Sequence, residues 1–323
     1  MKLVVLGWIF MSRVLISLAL TISALATPRT NYPLVPQDPL SQPIILTVTI
    51  TDKHGNYVRG LSRDLFEVLD QGKPQQVTDF DDHDSPAAVG IVFDLSASMN
   101  PDAIRSGREA LGNLVGLSHP ETEFFLVGVS THSALLQDWT RDGATLSNAV
   151  PMIPPKMALK GNTAFYDACY LGVQKLLSHT YRKRVLFVLS DGQDNNSKHT
   201  FLELKRFLEA SGVMLYSVGV FNVEYTGSSL GEEGRGILDE LSSVTGAWSY
   251  VTKREAEIDK AFRNIATELR NQYTVTFQPD RKSLSDNRRH TLKVRIKTPP
   301  NLPKDLRDVK VRARHSYYPP TNT

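Results

Sequence analysis

The sequence contains a single cysteine, Cys169, among its 323 residues. An intramolecular disulfide is therefore impossible, and a zinc site built on two or more cysteines is excluded. An excess of one charge is also absent, because 37 Lys and Arg stand against 34 Asp and Glu, a formal net charge of +3. The 18 prolines and 20 glycines are dispersed, so the chain is neither collagen-like nor a low-complexity linker. With 41% hydrophobic residues, the chain can form a packed core, whose stability has to come from burial rather than from cross-links.

Common catalytic and cofactor-binding motifs are missing as well. The chain has no HExxH, P-loop or CxxC sequence. The glycines Gly231, Gly234 and Gly236 do not lead from a strand into a helix in the dinucleotide-binding pattern, and we interpret them as a flexible loop. The segment Gly128–His132 lacks the second glycine of a nucleophile elbow. Cys169 lies at helical spacing within an apolar pattern, which predicts burial in the core rather than reactivity.

The first 26 residues are typical of a secretory signal peptide. The apolar run from Val14 to Ile22 is too short for a membrane span, and Ala24–Ala26 has the small-x-small pattern of a cleavage site. A start at Met11 would give a cleaner signal, and an uncleaved N-terminal anchor is the alternative. No second hydrophobic run of membrane length follows. We therefore expect no transmembrane segment in the mature chain and an exported protein, whether periplasmic, cell-surface or secreted.

Hydrophobic periodicity changes twice along the mature chain. Around residues 44–51 and again after residue 271, apolar and polar residues alternate, which indicates half-buried β-strands. Between them, near-continuous apolar runs such as residues 87–95 alternate with helical patterns, which predicts a mostly parallel sheet with helices on both faces. Neither β region is long enough to bury a core alone, so we expect one small β-sandwich built from both ends, with an α/β domain inserted. The predicted segments are a signal peptide (1–26), an extended leader (27–42), an N-terminal β region (43–86), the α/β domain (87–270) and a C-terminal β region (271–318).

The C-terminal β region is strongly basic. Residues 281–314 hold twelve Lys and Arg against three Asp, a local charge of +9. Alternation places these side chains on one face of two predicted strands: Lys293, Arg295, Lys297, Lys310, Arg312 and Arg314. Such a face could bind an anionic surface of the cell envelope. Alternatively, it is a solvated face of the sandwich whose charges prevent aggregation through the sheet edge. We favour the second interpretation. For an exported protein, nucleic acid is not an expected partner.

Oxygen-bearing side chains follow the predicted buried strands. Asp94, Ser96 and Ser98 come directly after one strand, and Asp191 follows another. Thr163 precedes a predicted helix between them. Because ligands of open α/β sheets bind at the carboxyl ends of strands, these side chains are expected to meet. Two carboxylates and three hydroxyls suit a hard divalent cation and leave room for one more ligand.

This five-residue pattern resembles the metal-ion-dependent adhesion site of the von Willebrand factor A domain, over roughly residues 87–270. The resemblance implies a Rossmann-like six-stranded sheet with residues 133–139 as its antiparallel edge. It also implies that Ser96 and Ser98 bind the ion directly, that Asp94 and Asp191 act largely through water, and that Thr163 switches between both modes. The flanking segments resemble those of exported bacterial proteins that carry this domain. The implied ion is Mg²⁺, with Mn²⁺ and Ca²⁺ as alternatives.

The sequence is compatible with three functions. The first, which we favour, is a metal-dependent protein-binding module for adhesion or scaffolding, in which an Asp or Glu of a partner completes the coordination. The second is a structural envelope-associated β-sandwich protein whose metal site is vestigial, with Asp94 capping the first helix and the serines stabilising a turn. The third is a Mg²⁺-dependent phosphoester hydrolase with Asp94 as nucleophile. The third is disfavoured because Ser96 stands where such enzymes usually carry a second Asp. Asp194, Asn195 and Asn196 follow Asp191 and have two interpretations, residues that line the metal face or ordinary loop residues, and we favour the second.

Overall fold

The computed structural model describes residues 43–152, 162–221, 229–280, 288–299, 303 and 306–319. The predicted signal peptide and extended leader lie outside these residues and stay predictions. The described part of the chain begins with four strands: β1 (Ile44–Thr51), β2 (Phe66–Asp70), β3 (Lys73–Gln75) and β4 (Val77–Asp81).

A six-stranded sheet follows at the centre of the fold. Its strands are β5 (Ala87–Asp94), β6 (Glu123–Val129), β7 (Ser133–Thr140), β8 (Lys183–Ser190), β9 (Met214–Val220) and β10 (Ser249–Thr252). They lie in the order β10-β9-β8-β5-β6-β7, and the pairs are parallel except where β7 runs antiparallel to β6. The α/β fold class, the mostly parallel sheet and its antiparallel edge strand are therefore confirmed.

Six helices in the described part of the chain cover both faces of this sheet. They are α1 (Pro101–Leu117), α2 (Gly143–Ala149), α3 (Phe165–Leu177), α4 (Phe201–Ser211), α5 (Ser229–Thr245) and α6 (Glu255–Leu269). Buried side chains of α1, α2 and α6 pack on one face, and those of α3, α4 and α5 pack on the other. No helix in the described residues is long and apolar enough to cross a membrane.

The central strand β5 shows why its sequence is a continuous apolar run. All eight of its residues are buried. Val89, Ile91 and Phe93 contact the core on the α1 and α6 side, whereas Ala88 and Val92 contact the core on the α3 side. Alternate side chains point to opposite faces of a strand, so a strand covered twice has to be apolar throughout.

Local capping explains where two of the helices begin and end. Pro101 is the first residue of α1, and Asn100 caps this helix by accepting a hydrogen bond from the Asp102 amide at 2.9 Å. Helix α4 begins with a capping box between Thr200 and Glu203. It ends at Gly212, whose φ of +68° fits the left-handed conformation that glycine adopts without strain.

The start of α5 differs from the prediction. We expected a flexible loop through Gly231, Gly234 and Gly236, but helix α5 already begins at Ser229 and includes all three. A Cβ added at Gly234 would lie 2.2 Å from the backbone oxygen of Asp191. Glycine is needed at position 234 because two backbone segments pack closely there, and not because the segment has to be flexible. Composition alone does not reveal this role.

The C-terminal strands complete two further sheets. They are β11 (Gln272–Phe277), β12 (His290–Ile296), β13 (Lys310–Arg312) and β14 (Ser316–Tyr317). The two antiparallel sheets have the orders β13-β1-β11-β4 and β14-β12-β2-β3, so each combines strands from both ends of the chain. Leu46 and Tyr273 of the first sheet share one buried cluster with Phe66 and Val68 of the second. Both ends therefore build one β-sandwich.

The six basic residues of the C-terminal strands do not form one solvent-exposed face, contrary to expectation. Strands β12 and β13 belong to different sheets. Arg312 forms an ion pair with the buried Glu268, and Arg314 is only 8% exposed. Arg295 pairs with Glu67 on the neighbouring strand β2. Apolar and basic residues do alternate along these strands, but Arg312 and Arg314 pack against the α/β unit instead of facing solvent.

A polar cluster around Glu268 joins the sandwich to the α/β unit. Glu268 lies at the end of α6 and is 1% exposed. Its Oε1 accepts hydrogen bonds from Thr49 of β1 at 3.0 Å and from Tyr216 of β9, as well as from Arg312 of β13. Gln272 of β11 donates to Tyr216 at 2.9 Å. The carboxylate thus connects four strands and balances a guanidinium that is mostly withdrawn from water.

We predict that Glu268→Gln lowers the free energy of unfolding by about 3 kcal/mol, because the Arg312 charge is left without its counter-ion in a largely buried position. The measurement is urea denaturation followed by circular dichroism. The matched control is Glu240→Gln, which removes an ion pair to Lys205 that is far more exposed and should cost less than about 1 kcal/mol. Equal losses for both variants would contradict the structural importance of Glu268.

We predict that Gly246→Ala lowers the free energy of unfolding by about 2 kcal/mol or more. Gly246 has a φ of +78°, and its added Cβ would lie 2.4 Å from the carbonyl carbon of Ala313 and from the amide nitrogen of Arg314. The control is Gly116→Ala in α1, where a Cβ meets nothing within 4 Å and where alanine should stabilise the helix by about 0.5–1 kcal/mol. Thermal melting of both variants gives the comparison, and a Gly246 variant as stable as the wild type would refute it.

Candidate metal centre

The loop after β5 carries the first three predicted ligands. Asp94 ends the strand and is fully buried. Its Oδ1 accepts a hydrogen bond from the Ser96 amide at 2.8 Å, and the hydroxyl oxygens of Ser96 and Ser98 lie 3.1 Å apart. The adjacent Leu95 amide donates to the Val129 carbonyl at 2.8 Å. Because Asn100 caps α1, the alternative reading in which Asp94 caps that helix is wrong.

The end of β8 is joined directly to Asp94. The Ser190 hydroxyl donates to Asp94 Oδ2 at 2.5 Å and accepts from the Gly192 amide at 3.0 Å. The next residue, Asp191, is partly exposed, and its Oδ1 accepts from the Gln193 amide at 3.0 Å. The carboxyl ends of β5 and β8, which are adjacent strands, therefore present two carboxylates to the same edge of the sheet.

Electrostatics at this edge favour an added positive charge. Burial and the nearby Asp191 carboxylate raise the pKa of Asp94 to about 6, against hydrogen bonds from Ser190 and Ser96 that lower it. In the described part of the chain, neither Asp94 nor Asp191 takes part in an ion pair. Two like charges held together without a cationic side chain, beside two hydroxyls, form a donor set that suits a hard divalent cation.

Thr163 is positioned by the loop that follows Asp191. Its amide donates to Asn195 Oδ1 at 2.7 Å, and its carbonyl accepts from the amides of Asn195 and Asn196 at 3.0 and 3.1 Å. Asn196 also donates through Nδ2 to the Thr131 carbonyl at 2.8 Å. The interpretation of Asn195 and Asn196 as ordinary loop residues misses this positioning role. Their pattern is common in loops, so the sequence carried no signal for it.

Asp194 supports the same region by satisfying the start of α3. Its Oδ2 accepts from the Tyr166 amide at 3.0 Å, while Ala164, the residue at the cap position, makes no side-chain cap. The Ala164 amide donates to the Ser130 carbonyl at 2.8 Å. The Thr163 loop is therefore held from two sides, by the β6 end and by the β8 end.

The Asp191 turn has its own steric requirement. Gly192 has a φ of +77°, and a Cβ there would lie 2.3 Å from the Gly234 carbonyl oxygen. Helix α5 therefore touches the backbone of the turn that carries Asp191. This contact fixes the turn without any side chain from α5.

The structure places the three predicted loops at one edge of the sheet. Asp94, Ser96 and Ser98 share one loop, Ser190 connects them to Asp191, and Asn195 connects the Asp191 loop to Thr163. The assignment of the five side chains as metal ligands remains a prediction.

Two other groups of chemically reactive side chains are not part of this edge. Cys169 is fully buried in the core of α3, as predicted, and burial raises the pKa of its thiol. Within the described residues, Asp81, Asp82 and His83 form the one group of three acidic or imidazole side chains with ligand atoms within 4.8 Å. That group precedes β5, at the opposite end of the strand from Asp94, and acidic groups of this kind are common without an ion.

Solved structures of similar fold come from several sources. One is the conserved hypothetical protein BatB from Bacteroides thetaiotaomicron, with 16% identity, 57% of this chain and 98% of that chain covered, and a TM-score of 0.46. Another is the von Willebrand factor domain of the type V pili tip protein Mfa5 from Porphyromonas gingivalis, with 14% identity, 56% and 94% covered, and a TM-score of 0.45. A third is proximal thread matrix protein 1 from the mussel byssus with a zinc-occupied adhesion site, with 16% identity, 60% and 47% covered, and a TM-score of 0.45. Similarity at this level says nothing about function.

No curated protein sequence matches the chain significantly. The family profile of the von Willebrand factor type A domain matches residues 89–264, which is more than half of the sequence and includes every loop described above. The chain therefore belongs to the von Willebrand factor type A domain family.

Proposed function

We propose that this protein binds a partner protein through a divalent cation held by Asp94, Ser96, Ser98, Thr163 and Asp191. The observation that carries the proposal is the Asp94 carboxylate, whose pKa is raised by its burial and by Asp191 and which has no ion-pair partner among the described residues. A cation at this edge would remove the repulsion between the two carboxylates.

The donor set points to a hard ion. All five side chains offer oxygen atoms, the ligands that Mg²⁺ prefers, and Mn²⁺ and Ca²⁺ are the alternatives. By the family resemblance, the serines bind directly and the aspartates act mainly through water. When bound, the ion supplies an electrophilic position that accepts an Asp or Glu carboxylate of the partner.

The protein's own part in this function is to hold the oxygens in place. Ser190 and the Ser96 amide hydrogen-bond the two oxygens of Asp94 and favour its ionised form. Asn195 and the backbone contact at Gly234 fix the loops of Thr163 and Asp191. Such preorganisation lowers the entropic cost of binding a ligand.

A hydrolase is not favoured by this geometry. Asp94 is fully buried, so its carboxylate has no open approach for direct attack on a phosphoester, whereas it can still act on a nearby ion through water. We propose a binding protein rather than an enzyme. We also propose that it is exported, with a signal peptide at 1–26, and that residues 87–270 form its von Willebrand factor type A domain between β regions 43–86 and 271–318.

We predict that Mg²⁺ or Mn²⁺ raises the melting temperature of the wild type, because an ion that binds the folded state stabilises it by about 2.7 kcal/mol at a hundredfold excess over Kd. Asp94→Asn and Asp191→Asn should abolish this shift. Without metal, Asp191→Asn should be at least as stable as the wild type, since it removes the repulsion on Asp94. The control is Asp102→Asn, an exposed carboxylate paired with Arg105. A metal response in both site variants would disprove the ligand assignment, and its absence in the wild type would favour a vestigial site.

We predict that Mn²⁺ bound to the protein retains a position that a carboxylate occupies. Water-proton relaxation should be enhanced by the Mn²⁺-loaded wild type and lowered again by acetate at millimolar concentration. The neutral isostere acetamide should have little effect, and Asp94→Asn should show no enhancement. An enhancement that acetate leaves unchanged would rule out completion of the coordination by an acidic partner.

A further inference from the structure

A cleft of about 670 Å³ lies between the α/β unit and the β-sandwich. One wall is formed by a face of α5 and by β10, and the other by β12, β13 and the segment after β13. Clefts of this size at the junction of two structural units are frequent ligand sites. The five predicted metal ligands do not line it.

Cations dominate the lining of this cleft. Arg235, Lys293, Arg312 and Arg314 line it. Arg235 pairs with Asp239 and Arg312 with Glu268, which leaves Lys293 and Arg314 without a carboxylate partner among the described residues. Lys293 is exposed, and none of the ion pairs among the described residues includes it. The lining is therefore rich in hydrogen-bond donors and positive charge, which suits a ligand that carries acceptors and negative charge.

Arg314 is a buried cation without an acidic neighbour. Its donors reach the carbonyl oxygens of Glu209 at 3.4 Å and Ile45 at 3.1 Å, and its Nε is buried without a hydrogen-bond partner. Within the described residues no carboxylate lies at ion-pair distance from it. Burial lowers the pKa of Arg314 to about 10, so it remains charged at neutral pH. A buried charge of this kind is costly, and an anion in the cleft would offset part of the cost.

An exposed aromatic ring lies beside these charges. Trp248 is 53% exposed and stacks against the Arg312 guanidinium, which lies 4.8 Å from its ring centre. Val294, Val311 and Ala313 belong to the sandwich wall of the cleft, where they pack against the sandwich core. Trp248 and Arg312 also border a second cleft of about 430 Å³, so the groove extends past them. Its extended form suits a chain ligand better than a compact ion.

We propose that this groove binds an extended acidic peptide segment of a partner protein. The carboxylates of the peptide pair with Lys293 and Arg314, while its apolar side chains pack on Trp248. Strand β13 is the outermost strand of its sheet, so its free edge is available to the peptide backbone. A saccharide is less suited, because its hydroxyls need acceptors as well as donors and the lining offers mainly donors.

This proposal does not depend on the metal centre. Strand β10 is three strands away from β5 in the central sheet, a lateral separation of about 14 Å. Binding in the groove is therefore expected to persist in EDTA. A failure of either proposal leaves the other intact.

The test is selection of random linear peptides on the full-length protein in EDTA, followed by fluorescence polarisation of the enriched peptides. We expect these peptides to be rich in Asp and Glu and to contain apolar residues. Lys293→Glu should weaken their binding about tenfold, because it replaces an attraction by a repulsion. Trp248→Ala should weaken binding by removing the apolar contact. The matched control is Lys260→Glu, an exposed lysine of α6 outside the groove, which should leave Kd unchanged.

Several results would overturn the proposal. These are enriched peptides without acidic residues, equal affinity for the wild type and Lys293→Glu, or displacement of the peptide by inorganic phosphate or a uronic-acid oligosaccharide at equal concentration. Circular dichroism establishes that each variant is folded. Lys293 is exposed on β12, so its substitution is not expected to disturb the core.

Discussion

The covering of the central sheet on both faces is the constraint on which the rest of this structure depends. Strand β5 is apolar along its whole length because Val89, Ile91 and Phe93 meet one helical layer and Ala88 and Val92 meet the other. In β5 and β8, polar side chains are therefore confined to the ends of the strands, where the backbone enters or leaves the sheet. At the carboxyl edge this places carboxylates and hydroxyls from separate loops side by side. The metal centre proposed there is a consequence of how the sheet is buried.

The β-sandwich packs against the opposite end of the α/β unit, and Glu268 lies at the centre of that contact. Its buried carboxylate accepts from Thr49, Tyr216 and Arg312, which belong to strands far apart in the sequence. A buried ion pair of this kind adds little net stability compared with apolar packing, but removing one partner is expensive. The basic strands of the C-terminal region therefore contribute to the junction as well as to the surface. Lys293, which has no such partner among the described residues, is left to line the groove.

The spacing of apolar residues predicted the fold well because buried positions of a strand or helix are occupied by apolar residues. Continuous apolar runs identified the doubly covered strands, and alternation identified the sandwich strands. The positions of Asp94 and Asp191 followed from those runs. What the sequence did not reveal depends on long-range contacts. Arg312 is largely buried at the junction because it pairs with Glu268. Gly234 packs in a helix against the backbone of Asp191, which lies 43 positions earlier in the sequence. The role of Asn195 likewise depends on Thr163, and no local periodicity records such a pair.

Helix α5 contacts both proposed sites. Near its start, Gly234 touches the turn that carries Asp191. Further along, Arg235 and Asp239 line the groove, and Gly246 beyond its end contacts the backbone that follows β13. The contacts at Gly234 and Gly246 leave no room for a Cβ, so the position of the helix is set at both ends by backbone packing. Any displacement of α5 that accompanied binding at one site would have to be accommodated at the other. By thermodynamic linkage, such coupling would change the two affinities by the same factor.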